Sequence, residues 1–211
     1  MDRRTPEINS TDLREKLTAA VIAEAVEPGF APLTVDRIVE RAGVSRKSFD
    51  AQFADKEAAI AAAYQHVFER YMTRLLQTCE VQPSWQLKVK VGIGVTLDMA
   101  AASPVHARFL AEAMTGVAGF PDGMLDARDR LARLLAAGRA DAPHGDQLPG
   151  VLESVLAGGI AWVIAAQLRA GEVDRLPALA PELVELALSP YLGREEAARV
   201  ARRPRPKSGG Q

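Results

Sequence analysis

Apolar positions from Leu13 onward fall at Leu13, Leu17, Ala20, Val21 and Ala25. Steps of three and four place them on one face of a helix, and Pro28-Gly29 stops it. Thr34 then precedes Val35, Ile38 and Val39 as an N-cap precedes a short helix. Ala42-Gly43-Val44 interrupts that helix, and Gly43 can take the positive φ that a sharp turn needs there. Ser45 caps the next helix, which is expected to bury Val44, Phe49 and Phe53. Asp55 caps a long helix running to about Cys79, with Ile60, Tyr64, Val67, Phe68, Tyr71, Leu75 and Leu76 at helical spacing. Residues 1–11 are polar and expected to fray.

Pro83-Ser84 resets the chain. The pattern predicts helices near Trp85–Ala102, Val105–Thr115, Asp122–Ala140, Pro149–Ala170 and Pro181–Tyr191, with a short one at Glu195–Arg202. Ser103-Pro104 and Gly119-Phe120-Pro121 are the breaks, and Asp141 to Asp146 reads as a mobile loop. The basic, Pro-rich ending RRPRPKSGGQ reads as disordered. No repeat and no alternating strand pattern occurs. The expected fold is all-α: a three-helix head over 1–55 containing a helix-turn-helix, a larger helical bundle over 56–193, and a short helix with a basic tail over 194–211.

Composition supports this picture. The 211 residues are 48% hydrophobic but only 5% aromatic, which suits close-packed helices better than sandwiched sheets. Net charge is −1, and the first 57 residues hold nine Lys or Arg against eleven Asp or Glu. No global basic excess advertises a nucleic-acid partner, so any positive face is local. A single cysteine, Cys79, rules out an intrachain disulfide framework and offers no second thiol for a redox pair. No basic-then-apolar leader opens the chain, and the apolar run Val155 to Leu168 is short for a bilayer span. The expected location is cytoplasmic, with no membrane partner.

The head carries the chemistry. Val35, Ile38, Val39, Ala42, Val44, Phe49 and Phe53 can share a small core with Leu17 and Val21, with Ala42 and Gly43 allowing close helix approach. Arg46, Lys47, Ser48 and Gln52 are then left near the outward face of the third helix. Such a helix docks in the major groove of double-stranded DNA with its first residues at the base edges. The stretch LTVDRIVERAGVSRKSFDAQFADKE, with the preceding REKLTAAVIAEAVEPGFAPLTV, resembles the DNA-binding head of TetR-type transcriptional regulators. The resemblance covers about residues 13–60. Beyond it the chain shares only length and all-helical layout, although ELVELALSPYLGREEA is similar to the closing segment of some members.

The resemblance implies phosphate contacts from Thr34 and Lys56, and base and backbone contacts from Ser45, Arg46, Lys47 and Ser48. It also exposes a departure. Members commonly carry Tyr where this chain has Asp50, and a basic or polar residue where it has Ala51. Asp50 either reads a cytosine amino group, as acids can, or repels phosphate and weakens binding. A divergent ligand-binding and dimerising body is implied as well, and with it a homodimeric repressor released from a near-palindromic operator by a small, largely apolar effector.

In the body, Met99, Phe109, Met114, Phe120 and Trp162 lie on or beside helices surrounding the core. They read either as ordinary packing or as the wall of an apolar ligand pocket. Few charges lie on Val155 to Leu168, and Gly158-Gly159 would let another helix approach closely. This helix and Pro181–Tyr191 suit a four-helix homodimer seam. His66, His106, His144 and Cys79 lack ligand spacing, so no metal is expected. Gly92-Ile93-Gly94 lacks the context of a dinucleotide fingerprint, so no cofactor is expected either. An enzyme reading would need titratable groups to converge in the body, where the sequence offers only scattered His106, Glu112 and Glu153. A further reading is a helical small-molecule-binding or scaffold protein whose head no longer grips DNA.

Overall fold

A computed structural model describes residues 9–27, 32–114 and 126–204, the side chains of 113–114 and 126–128 excepted. Ten α-helices appear among them: α1 Ser10–Val26, α2 Val35–Ala42, α3 Arg46–Asp50, α4 Lys56–Glu80, α5 Trp85–Ala102, α6 Pro104–Met114, α7 Asp126–Ala136, α8 Leu152–Arg169, α9 Ala180–Leu192 and α10 Arg194–Arg202. Short 3-10 segments occupy Ala137–Ala140, Gly145–Gln147 and Val173–Leu179. The described residues contain no strand. The chain falls into two compact units, which divide within α4 between His66 and Val67.

In the first unit the helices begin and end where local chemistry requires. Asn9 Oδ1 accepts from the Thr11 amide at 3.3 Å and starts α1 three residues before the first periodic apolar position. Gly43 closes α2 in the left-handed region at φ 64°, donating to Glu40 and Val39. Nothing lies within 4 Å of a Cβ built there, so the backbone angle alone selects glycine. Leu17, Val21, Leu33, Ile38, Phe49 and Phe53 are buried. Val35, Val39, Ala42 and Val44 stay half-buried at the edge of that core.

An ion-pair network that periodicity does not reveal joins α1 to α2. The Arg37 and Arg41 Nε atoms donate to the two oxygens of Glu24, and Arg41 also reaches Glu27. Glu24 is 4% exposed, while the arginines keep 44% and 35% of their side chains in water. Glu24→Ala is therefore expected to cost about 1–2 kcal/mol, below the roughly 3–5 of a fully enclosed pair, because water still covers the stranded guanidinium groups. A urea-unfolding midpoint checks this.

In the second unit the core gathers Trp85, Val89, Ile93, Leu97, Leu156, Ile164, Leu176, Val184, Leu188 and Tyr191 from α5, α8, α9 and the 3-10 segment before α9. Trp85 meets Tyr191 edge-on at 4.8 Å and donates to the Leu134 carbonyl. A Cβ at Gly138 would fall 2.1 Å from the Trp85 ring. Only glycine lets the chain pass beneath the indole, and there α7 tightens into its 3-10 turn. The end of the loop that begins at Asp141 is tied down. Arg139 forks onto Glu153 at 2.7 and 2.9 Å and donates to the carbonyls of Gly145, Leu148 and Pro149. Tyr191 also donates to Glu153, at 2.8 Å. Lys90, 5% exposed, donates through Nζ to the carbonyls of Val200, Ala201 and Arg203 at the end of α10.

Glu24 and Glu153 share an acid-base consequence. Burial pushes each carboxyl up, yet hydrogen bonds from Arg41 and Arg37 in one case, and from Arg139 and Tyr191 in the other, hold it below the ordinary 4.5. A lowered folded-state value stabilises the fold above the unfolded value and ceases to as pH falls through the lowered one. The urea midpoint is expected to be level in this respect from about pH 7 to 5 and to fall below about pH 4.5. The decline should be shallower when both residues are replaced by glutamine.

Candidate nucleic-acid interface

The helix-turn-helix is α2, the Gly43 turn and α3. Both helices are capped by hydroxyls that a DNA backbone could also meet. Thr34 Oγ1 accepts from the Arg37 amide at 3.3 Å. Ser45 Oγ accepts from the Ser48 amide at 3.1 Å and lies 2.8 Å from Ser48 Oγ. Helix α3 is one and a half turns long because Gln52 and Phe53 donate back to the Phe49 carbonyl and close it. Phe49 and Phe53 anchor it, with ring centroids 5.6 Å apart. Anchoring by Phe49 and Phe53 leaves Arg46, Lys47 and Asp50 exposed and Ser48 half-buried.

Three predicted residues have partners that the sequence does not announce. Arg46 is held between two carboxylates: NH1 lies 3.3 Å from Asp36 of α2, and Nε lies 3.2 Å from Asp50 one turn along α3. Gln52 is half-buried and donates to Ser10 Oγ at 3.1 Å, while its carbonyl accepts from Arg14. The side chain thus ties α1 to the end of the helix-turn-helix. Lys56 opens α4 and lies 3.7 Å from Glu57. Asp55 caps that helix through the Ala58 amide at 2.7 Å, as expected. Asp36 lies in the first turn of α2, across the Gly43 turn from Arg46, and only the crossing of α2 and α3 brings the two together. The Ser10–Gln52 contact joins residues 42 apart and has no local signal.

The acid excess of the head thus becomes intelligible. Glu24 and Glu27 face Arg37 and Arg41, and Asp36 and Asp50 face Arg46. Lys47 is the exposed cation of α3 without a carboxylate among the described ion pairs.

The body residues singled out from sequence part ways. Phe109 is fully buried on α6, Met99 is half-buried on α5, and Trp162 on α8 faces outward at 59% exposure. The Met114 side chain and Phe120 lie outside the described residues. Val151 and Val155, at 66% and 63%, share the outward stripe with Trp162, and Leu186 of α9 is 55% exposed. No side chain or backbone approaches within 4 Å of a Cβ placed on Gly158 or Gly159. Helix α8 has the length and apolarity to cross a membrane by composition alone, with 39% of that stretch buried. It packs against α6 and α7 and sends Glu153 into the Arg139 network. Cys79 donates to the Lys88 carbonyl at 3.4 Å, and burial pushes its thiol up, away from reactive thiolate character.

A capped helix-turn-helix of this kind is a DNA-binding motif, and here a separate helical body follows it. Residues 17–63 match the family described as bacterial regulatory proteins, tetR family. The match is confined to the head, and the chain as a whole takes the all-helical fold of solved structures of similar layout. The fatty acid degradation regulator FadR from Bacillus halodurans is similar over 89% of this chain and 97% of its own, at 16% identity and a TM-score of 0.69. A TetR-like transcriptional regulator from Rhodococcus sp. RHA1 covers 89% and 98%, at 19% identity and 0.69. FadR from Bacillus subtilis, solved in complex with stearoyl-CoA, covers 83% and 97%, at 16% identity and 0.66. No curated protein matches the chain.

Proposed function

We propose that this regulator acts as a homodimeric repressor that leaves a near-palindromic operator when a small, largely apolar effector enters its body. The observation that carries the reading is the head: a capped α3 anchored by Phe49 and Phe53 with Arg46 and Lys47 outward. Thr34, Ser45, Ser48 and Lys56 would supply backbone contacts around that pair. The outward apolar stripe of α8 and, separately, exposed Leu186 of α9 support pairing with a second copy, since large exposed apolar side chains seek a partner. Two heads on a two-fold axis would read half-sites about one DNA turn apart, roughly 34–36 Å.

The continuous helix α4 begins in the head unit and ends in the body unit, so a ligand packed on its body end can bias the head. Nearly complete switching needs about 5.5 kcal/mol of differential affinity. Apolar burial at about 25 cal/mol per Å² can provide much of it. The likeness to a regulator solved with stearoyl-CoA supports an apolar effector. Selection of bound duplexes from random DNA tests the reading. Inverted half-sites spaced by a helical turn are expected, and recovery of no preferred sequence would overturn it. The two carboxylates on Arg46 favour a second reading, a ligand-binding protein with a disarmed head, and that same null recovery would be its signature.

A further inference from the structure

We infer that Asp36 and Asp50 are positioning residues that convert Arg46 from a general phosphate contact into a base reader. The inference rests on the DNA-binding reading above. A free arginine at a helix start can swing to whichever phosphate is near, which gives affinity without sequence information. Here the guanidinium spans the two helices of the motif. Its NH1 faces Asp36 on α2 and its Nε faces Asp50 on α3. Both arms of that clamp are built on regular structure: Asp36 in the first turn of α2, and Asp50 one helical turn after Arg46. Arginine carries five N–H donors in a rigid plane. Fixing two of them fixes the plane and leaves NH2, with the remaining NH1 hydrogen, as an end-on fork that matches the O6 and N7 acceptors of guanine.

The clamp also places two negative charges against one positive charge at the surface, with side-chain exposures of 87% for Asp36, 55% for Asp50 and 58% for Arg46. The local excess of negative charge lowers attraction to any phosphate, whatever the sequence. Specific binding keeps the fork, while non-specific binding loses a counter-charge, so the ratio between them widens. Asp50 thereby acts through Arg46 rather than touching a cytosine itself, and Asp36 joins it as a specificity determinant.

The test is a mutant cycle read as the ratio of affinity for the selected duplex to affinity for a scrambled duplex of equal length. Asp50→Asn and Asp36→Asn are each expected to tighten binding to the scrambled duplex and steepen its salt dependence. Each should also lower the ratio about tenfold, the order of one lost base discrimination. In an Arg46→Ala background, Asp50→Asn should leave the ratio unchanged. Melting temperatures should stay where they were, because all three groups are exposed. If both acid variants leave the ratio unchanged with Arg46 present, the acids merely repel phosphate and the inference is overturned. An equal fall in the ratio without Arg46 would make Asp50 a direct reader and overturn it as well. If the unaltered protein prefers no duplex at all, the DNA-binding reading fails first, and the inference with it.

Discussion

Replacing Arg46 and Lys47 together by alanine is expected to weaken binding to the selected operator about a thousandfold. Each head loses one bidentate base contact, roughly 1–3 kcal/mol, and one phosphate contact. In the proposed dimer two heads double the loss, and about 4 kcal/mol corresponds to three decades. The salt dependence should flatten too, by about 0.9 in the logarithmic slope for each phosphate contact removed. Anisotropy titrations of a labelled duplex at several salt concentrations measure both. Unchanged affinity and slope would show that the DNA face lies elsewhere. The starting slope itself should be modest, because Arg46 shares its charge with Asp36 and Asp50.

The second large effect concerns the outward stripe. Trp162→Glu with Leu186→Glu is expected to yield a monomer by sedimentation at micromolar concentration. Burying a large apolar side chain contributes roughly 1.5–3 kcal/mol, and a two-fold interface loses each contact twice. Placing carboxylates there adds desolvation cost to any residual association. Operator affinity should fall by about 10²–10⁴, the usual gain from tethering two binding modules, while the helical content by circular dichroism stays the same. A dimer that survives both substitutions would move the seam to another surface.

Much of this fold is legible in the sequence, and the reason is local. Thr34, Ser45, Asp55 and Ser84 each stand before an apolar-periodic run and each accepts from an amide three residues on. Such signals need no knowledge of the rest of the chain. Gly43 was readable for the same reason, since a left-handed closure at that point leaves few alternatives to glycine. What escaped was long-range. The Glu24 network, the Arg139 fork and the Lys90 contacts join residues 13, 14 and 110 apart or more, and charge pairing at that distance leaves no period to find. The 3-10 segment Val173–Leu179 escaped because Pro177 and Gly171 look like punctuation, although Leu176 between them is fully buried.

The candidate DNA site divides along the same line. Outward placement of Arg46 and Lys47 follows from the inward placement of Phe49 and Phe53, a matter of helix geometry. The commitment of Gln52 to Ser10 and the grip of Asp36 on Arg46 depend on how helices cross, which spacing does not encode. In the body, size and apolarity alone group Trp162 with Phe109. The structure separates them: Phe109 is fully buried, and Trp162 is open to solvent.

Lys90 has a practical consequence for handling this protein. Its ammonium is enclosed and satisfied by the backbone of the last helix, three carbonyls between Val200 and Arg203. Trimming the chain before Val200, a natural choice for crystallisation, would strip a buried cation of those acceptors. The body should then become proteolytically fragile, whereas an affinity tag appended after Gln211 would leave the clasp intact.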